Sequence, residues 1–366
     1  MPRPFARLVA LPALAVVLAC GGGGGAVHLG MSGPFTEGFG LANKQGVELA
    51  VAEINAAGGI DGDSLIVDYV DDGGDGSKAA IVAQDFVDDA RVIGVIGHVT
   101  SGAMVAAAKV YDGNLPAVAT TASSAQLTGI SSWAFRVISS DSANGVDLAR
   151  FAQRRGRKRA AILYENDAYG RGLADAFRRS FVGTVISLDP IPSDGDRAAL
   201  YVDWLVDRRP DIVFVAGTEV SGMAILRAAR AKDLTADFLG GDGWTGVVRD
   251  PVASEGALVG APFTALDTRP EAQRFVQAFR ARFSVDPDGN AALGYDATKL
   301  LAAGVAAVGR DRAALRDWLA NIQPDAAFPG VTGPIAFFPT GDPIGKALTM
   351  TRVSRGTLAL AEQEAP

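Results

Sequence analysis

Short apolar runs alternate along this chain with longer stretches whose apolar positions fall three and four residues apart. The short runs at 26–30, 65–69, 92–97, 115–120 and 133–137 predict strands, and the stretches at 40–57 and 76–89, one from Ser101 through Met104, Ala108 and Tyr111, and one from Asp141 through Arg155 predict helices. A second series follows, with strands at 160–164, 185–188, 212–216 and 238–240 and helices at 170–181, 196–208 and 220–232. Residues 256–261 lead back toward the first series, helices are expected at 271–283, 291–308 and 312–321, and strands at 333–337 and 347–353 close the chain. Strands alternating with helices predict parallel sheets with crossover helices, an α/β fold. No repeat of solenoid length is present, so the two series read as two similar lobes joined by several crossings.

The run Val92-Ile93-Gly94-Val95-Ile96-Gly97 is apolar throughout, as expected of a strand covered on both faces. It leads through His98-Val99-Thr100 to a helix start at Ser101, and the next run ends in the small polar turn from Thr121 to Ala125. Both turns then lie at the carboxyl ends of adjacent parallel strands, where open α/β sheets bind ligands. Alone, Ser101 reads as a helix cap and Ser123 as a turn residue. Two hydroxyl turns side by side predict instead a seat for a ligand carboxylate, held by Ser101, Thr121, Ser123 and free N–H groups at the helix start.

The chain has 366 residues, 48% hydrophobic and 20% charged, enough for two lobes with cores of their own. A formal charge of -7 and the lack of a strong basic patch exclude a nucleic-acid partner. The cluster from Arg154 to Arg159 reads as a solvated helix end. Arg3 and Arg7 precede an apolar run at 8–19, too short to span a bilayer but suited to a signal peptide. It ends at Cys20, followed by glycines 21–25. The segment Val17-Leu18-Ala19-Cys20 is similar to the bacterial lipoprotein box, although leucine stands two rather than three places before the cysteine. Cys20 is therefore expected to carry a lipid anchor, and as the only cysteine it leaves no disulfide. Gly241-Asp242-Gly243-Trp244-Thr245-Gly246 has the letters of a dinucleotide fingerprint, but Asp242 would set a carboxylate where a pyrophosphate belongs. His28 and His98 have no ligand-like spacing and read as structural. Neither a zinc signature, a nucleophile elbow nor a phosphate-binding loop is present, so no cofactor, metal or catalytic activity is expected.

Several stretches resemble the leucine/isoleucine/valine-binding proteins, the solute receptors of ABC importers. They are Gly33-Pro34, the segment from Ile54 to Ile60, Asp71-Asp72, the segment from Ile96 to Gly102 with Leu127-Thr128, Tyr169-Gly170, and Gly241-Asp242-Gly243. The resemblance implies two doubly wound Rossmann-like lobes joined by a multi-crossing hinge. Residues 1–20 would be a lipoprotein signal peptide and 21–26 a tether; 27–139 with 264–340 would form the N-terminal lobe, and 140–263 with 341–366 the C-terminal lobe. Asp242 would pair with the ligand ammonium, Tyr169 would cover the ligand backbone on closure, and Phe39 would line the pocket. Trp244 and Tyr295 are further aromatic candidates for the lining. Thr218 departs from the pattern, which has tyrosine there in several members, so the side-chain pocket differs in size and polarity. The implied protein is extracytoplasmic and anchored to a bacterial membrane through Cys20. It would bind an amino acid, with branched-chain ones among the candidates, and meet ABC permease subunits. The alternative is a sensor of amides, urea or other small polar solutes.

Overall fold

The computed structural model describes residues 25–361. The expected leader, Cys20 and most of the glycine tether lie outside the described residues. The first series runs β1 (Val27–Gly33), α1 (Gly38–Ala56), β2 (Leu65–Asp71), α2 (Gly76–Asp88), β3 (Val92–Gly97), α3 (Ser101–Tyr111), β4 (Ala117–Ala119) and β5 (Ala134–Arg136). The second runs α4 (Asp141–Arg154), β6 (Arg159–Glu165), α5 (Ala168–Ser180), β7 (Thr184–Ile191), α6 (Ala198–Arg208), β8 (Ile212–Ala216), α7 (Glu219–Ala231), β9 (Asp237–Gly240), α8 (Pro251–Ser254) and β10 (Leu258–Ala261). Then come α9 (Pro270–Phe283), α10 (Gly289–Val308), α11 (Arg312–Ala320), β11 (Phe328–Gly330), β12 (Gly333–Ile335), β13 (Thr349–Ser354) and β14 (Thr357–Leu360).

Two main sheets result. The first has the order β2-β1-β3-β4-β5 and the second β14-β13-β10-β9-β8-β6-β7, while β11 and β12 form a separate hairpin. Counted from its own first strand, each parallel set has the doubly wound order 2-1-3-4-5. Every residue of β3 and of β8 is buried, because helices cover both faces. After β10 the chain returns to the first sheet, where Leu293, Leu300, Leu301, Leu315 and Leu319 join a core with Leu29, Met31 and Ile96. It then goes back to add β13 antiparallel to β10.

The expected helix at 196–208 starts at Ala198, because Arg197 takes a left-handed conformation at φ 62°. The expected strand at 333–337 is β12, shortened to Gly333–Ile335, whereas β11 and β14 had no alternating pattern strong enough to mark them. The glycine-rich segment after β9 folds as a 3-10 helix, Asp242–Arg249, with no phosphate-binding turn.

The tightest contact in the first lobe joins α1 to α10. A Cβ on Gly46 would stand 1.9 Å from the Ala291 carbonyl oxygen, and one on Gly294 2.4 Å from that of Asn43. The Asn43 amide donates to the Asn290 carbonyl at 2.9 Å across the same seam. Gly46→Ala must push the helices apart and is expected to cost about 1–3 kcal/mol of unfolding free energy, measured by urea titration. An unchanged midpoint would show the seam to be slack.

Candidate functional site

A cleft of about 520 Å³ opens between the carboxyl ends of the two sheets. Loops after successive strands line it: Pro34 after β1, Gly73 and Gly74 after β2, Val99 to Gly102 after β3, and Thr121 after β4. Facing these are Glu165 at the end of β6 with Asp167 and Tyr169 just beyond it, Ser193 and Asp194 after β7, Thr218 and Val220 after β8, and Asp242 and Gly243 after β9. This is the place that doubly wound sheets assign to ligands, formed twice and face to face.

The first wall is built of hydroxyls and amides. Thr100 precedes α3 in extended backbone, yet its side chain caps no helix N–H. Its hydroxyl donates instead to the Gly74 carbonyl at 3.4 Å. The first-turn N–H groups of α3 therefore meet the cleft without a side-chain cap. The Ser101 hydroxyl accepts from Ser124 N at 3.1 Å, which ties the turn after β4 to the start of α3, and its own proton stays free to donate. The Thr121 hydroxyl donates to the Val99 carbonyl at 2.7 Å, so it can only accept from a ligand.

Beneath this wall lies a buried chain. Asp72 accepts from Ser32 Oγ at 2.8 Å and from Gly74 N at 2.7 Å and meets His98 Nδ1 at 2.7 Å, while His98 Nε2 meets the Tyr111 hydroxyl at 2.9 Å. His98 thus holds the two cleft turns from below, the structural part expected of it. His28 meets Asp68 at 2.9 Å, at the opposite end of its strand from the cleft turns.

The second wall is acidic. The Tyr169 hydroxyl donates to Asp242 Oδ1 at 3.2 Å and accepts from Gly243 N at 3.1 Å. Thr218 donates through both its N–H and its hydroxyl to Glu165 Oε1, each at 2.8 Å, and Ser221 Oγ adds a third bond at 2.7 Å. The Asp167 carboxylate accepts from Gly170 N at 2.7 Å and caps α5.

Residues 26–357 match the model of a family described as periplasmic binding protein. The chain belongs to that family. It is 30% identical over 312 residues to an amino acid binding protein of Pseudomonas aeruginosa, covering 80% of this chain and 82% of the relative. It is 31% identical over 268 residues to the Leu/Ile/Val-binding protein of Citrobacter freundii, covering 71% and 72%. A solved ABC transporter substrate-binding protein from Desulfitobacterium hafniense, in complex with Leu, superposes with a TM-score of 0.80 at 28% identity, covering 92% of this chain and all of that one. Family membership makes this a solute-binding protein with an extracytoplasmic place of work.

Of the residues expected to line the pocket of this binding protein, Ser101, Thr121, Tyr169, Asp242, Phe39 and Thr218 all do so. Three others are placed elsewhere. Ser123 is fully buried below the floor, and its hydroxyl lies near the Asp141 carboxylate but outside hydrogen-bond geometry. Trp244 is fully buried behind the second wall, where a Cβ on Gly240 or Gly222 would come within 2.4 Å of its indole ring. Gly240 at the end of β9 and Gly222 on α7 leave the space that this ring fills. Tyr295 lies on α10 in a separate cavity of about 290 Å³, with its hydroxyl on Glu53 at 2.6 Å and Lys299 Nζ 5.3 Å from its ring. Glu165, Asp167, Asp194 and Asn290 also line the cleft and were not expected. The first three follow predicted strands of the second series, which is the signal that could have found them.

Burial sets the electrostatics. It pushes Asp242 up to about 6, against hydrogen bonds from its own backbone and Tyr169. Burial, and then the neighbouring Asp242 carboxylate, push Asp141 well above the usual range, opposed by Ser123 and Arg136. Among the described residues neither Asp141 oxygen has a partner in hydrogen-bond geometry. Both folded-state pKa values therefore exceed the unfolded ones. The folded chain binds the extra protons from about pH 4 upward, so stability falls as pH rises through about 6. Asp141→Asn removes the charge while keeping the shape, and should raise the urea midpoint of the ligand-free protein at pH 7 and flatten its decline between pH 5 and 7. A lowered midpoint at pH 7 would mean that the carboxylate is satisfied after all.

Proposed function

We propose that this chain is the substrate-binding component of an ABC importer and that it takes a free amino acid in the cleft between its lobes. The observation that carries this reading is the pairing of opposite chemistries across one gap. A half-satisfied buried carboxylate, Asp242, stands on one wall and an uncapped helix start with the Ser101 hydroxyl on the other. A zwitterion complements both. Its carboxylate accepts from Ser101 and the first N–H groups of α3, favoured by the helix dipole. Its ammonium donates to Asp242, whose donors among the described residues are only the Tyr169 hydroxyl and its own backbone N–H, and to the Thr121 hydroxyl oxygen.

Because the two ends touch different lobes, the ligand stabilises the closed arrangement by its differential affinity for that arrangement, and closure is the signal a membrane permease can read. The names of the relatives and of the leucine-bound neighbour support an amino acid as the solute. Cys20, at the end of an apolar leader and before a glycine run, fits a lipid anchor that keeps the receptor beside its permease.

Removing one partner of a buried charge pair costs on the order of 3–5 kcal/mol. Asp242→Ala is therefore expected to weaken amino-acid binding at least a hundredfold by titration calorimetry. The ammonium needs an ionised Asp242, so ligand binding lowers the pKa of that group, and affinity of the parent should fall about tenfold per unit as pH drops below about 6. Equal affinities for parent and variant, or a flat pH profile, would remove Asp242 from the ammonium site.

A further inference from the structure

The charges lining the cleft are one-sided. Glu37, Glu165, Asp167, Asp194 and Asp242 line it, and among the described residues no lysine, arginine or histidine does. Three of these acids have local explanations. Asp167 caps α5, Asp194 accepts from Asp196 N at 2.9 Å, and Glu37 stands at the head of α1, where the dipole favours an acid. Glu165 and Asp242 remain. They are only 2% and 7% exposed and yet line the cleft. Glu165 takes all three of its hydrogen bonds on Oε1, and Asp242 takes the Tyr169 bond on Oδ1. Among the described residues no hydrogen bond reaches Glu165 Oε2, and Asp242 has only its own backbone N–H as a donor besides Tyr169.

A nearly buried carboxylate oxygen facing a binding cleft calls for a donor from the ligand. One ammonium cannot serve both. Asp242 follows β9 and Glu165 ends β6, with β8 between them. Two inter-strand steps of about 4.8 Å set the ends of β9 and β6 roughly 10 Å apart, so the two carboxylates start from separate strands. Thr218, short and tied to Glu165, and Val220 line the interval after β8 and leave room for methylene groups. We propose that the cleft selects an amino acid whose side chain ends in a second cation, with the α-ammonium at Asp242 and the side-chain cation at Glu165. This rests on the amino-acid reading above and narrows it. A neutral aliphatic side chain would leave Glu165 Oε2 against carbon. Burial pushes the Glu165 carboxyl up, opposed by Ser221 and Thr218, and a ligand cation would bring it back down.

L-lysine and L-norleucine, which is lysine without its terminal amine, separate the two readings. Calorimetric titration of the purified chain with each at pH 7.5 should give lysine at least tenfold tighter. Glu165→Gln, with folding checked by its melting point, should cut the lysine-to-norleucine ratio at least tenfold. Norleucine binding as tightly as lysine overturns the second-cation assignment and leaves amino-acid binding standing. An unchanged ratio in a folded Glu165→Gln variant overturns the assignment to Glu165. Binding of neither compound overturns the amino-acid reading and this one with it. Should the variant fail to fold, the parent's ratio decides.

Discussion

The Tyr169–Asp242 contact fixes how the second wall is built. A hydroxyl from the start of α5 must reach a carboxylate at the end of β9, and little room is left around it. A Cβ on Gly241 or on Gly243 would stand 3.0 Å from the Tyr169 hydroxyl oxygen, and the latter also 2.7 Å from the Gly217 carbonyl. Both glycines beside Asp242 are thus crowded by the tyrosine, although the nearer contacts are Leu173 Cδ2 at 2.8 Å for Gly241 and the Gly217 carbonyl for Gly243. The contact satisfies one carboxylate oxygen and aims the other at the cleft. Burial makes the unsatisfied half expensive, and the wall consequently favours a ligand that brings a positive donor.

The opposite wall reaches the complementary preference without a charged side chain. Its anion-seeking character comes from a helix start and a serine proton. That economy has a mechanical requirement, because backbone donors are useful only if the turns carrying them hold still. Asp72 supplies the rigidity. It binds the turn after β2 through Gly74 N, the strand through Ser32, and the turn after β3 through His98, which Tyr111 anchors from α3. All four side chains are fully buried, so water cannot compete for these bonds. An acidic wall and a neutral one, on separate lobes, would give the proposed zwitterion only one orientation.

Much of this was legible in the chain. Val92 to Gly97 could hardly be anything but a covered strand, and the hydroxyl turns follow from where such strands end. Asp242 was reachable because its glycine neighbours resemble a family signature. Ser123, Trp244 and Tyr295 were misplaced for physical reasons that local pattern does not carry. The turn after β4 folds under the floor once Ser124 N bonds Ser101 Oγ, taking Ser123 out of the cleft. Trp244, a candidate for the lining, turns inward because the facing strand and helix present glycine at Gly240 and Gly222. Tyr295 sits on a helix buried almost all round, and its one partly open face looks onto Glu53, away from the cleft. Asp141 was passed over because an acid in the first turn of a helix usually needs no further explanation. Only the fold shows that its carboxylate points inward, beside Ser123 and within reach of the field of Asp242.

The position of Asp141 changes what binding means energetically. Asp141, Asp242, Tyr169 and Asp167 face one another from α4, the segment after β9, and α5, and the nearest compensating charge, Arg136, is held by Asp342 and by the Ser123 and Ser124 carbonyls. Two carboxylates buried together cannot both ionise at ordinary cost, so the empty cleft keeps protons that free acids would release. A ligand cation arriving at Asp242 substitutes for one of them. On the proposed reading, the free energy of binding then includes release of that proton, so the new contact is offset in part by ionising Asp242. That cost is met only when ammonium and carboxylate meet inside the buried wall, and a neutral solute of the same shape would leave the proton in place. On the same reading, the buried acids favour a cationic solute, and they do so at a cost to the stability of the fold.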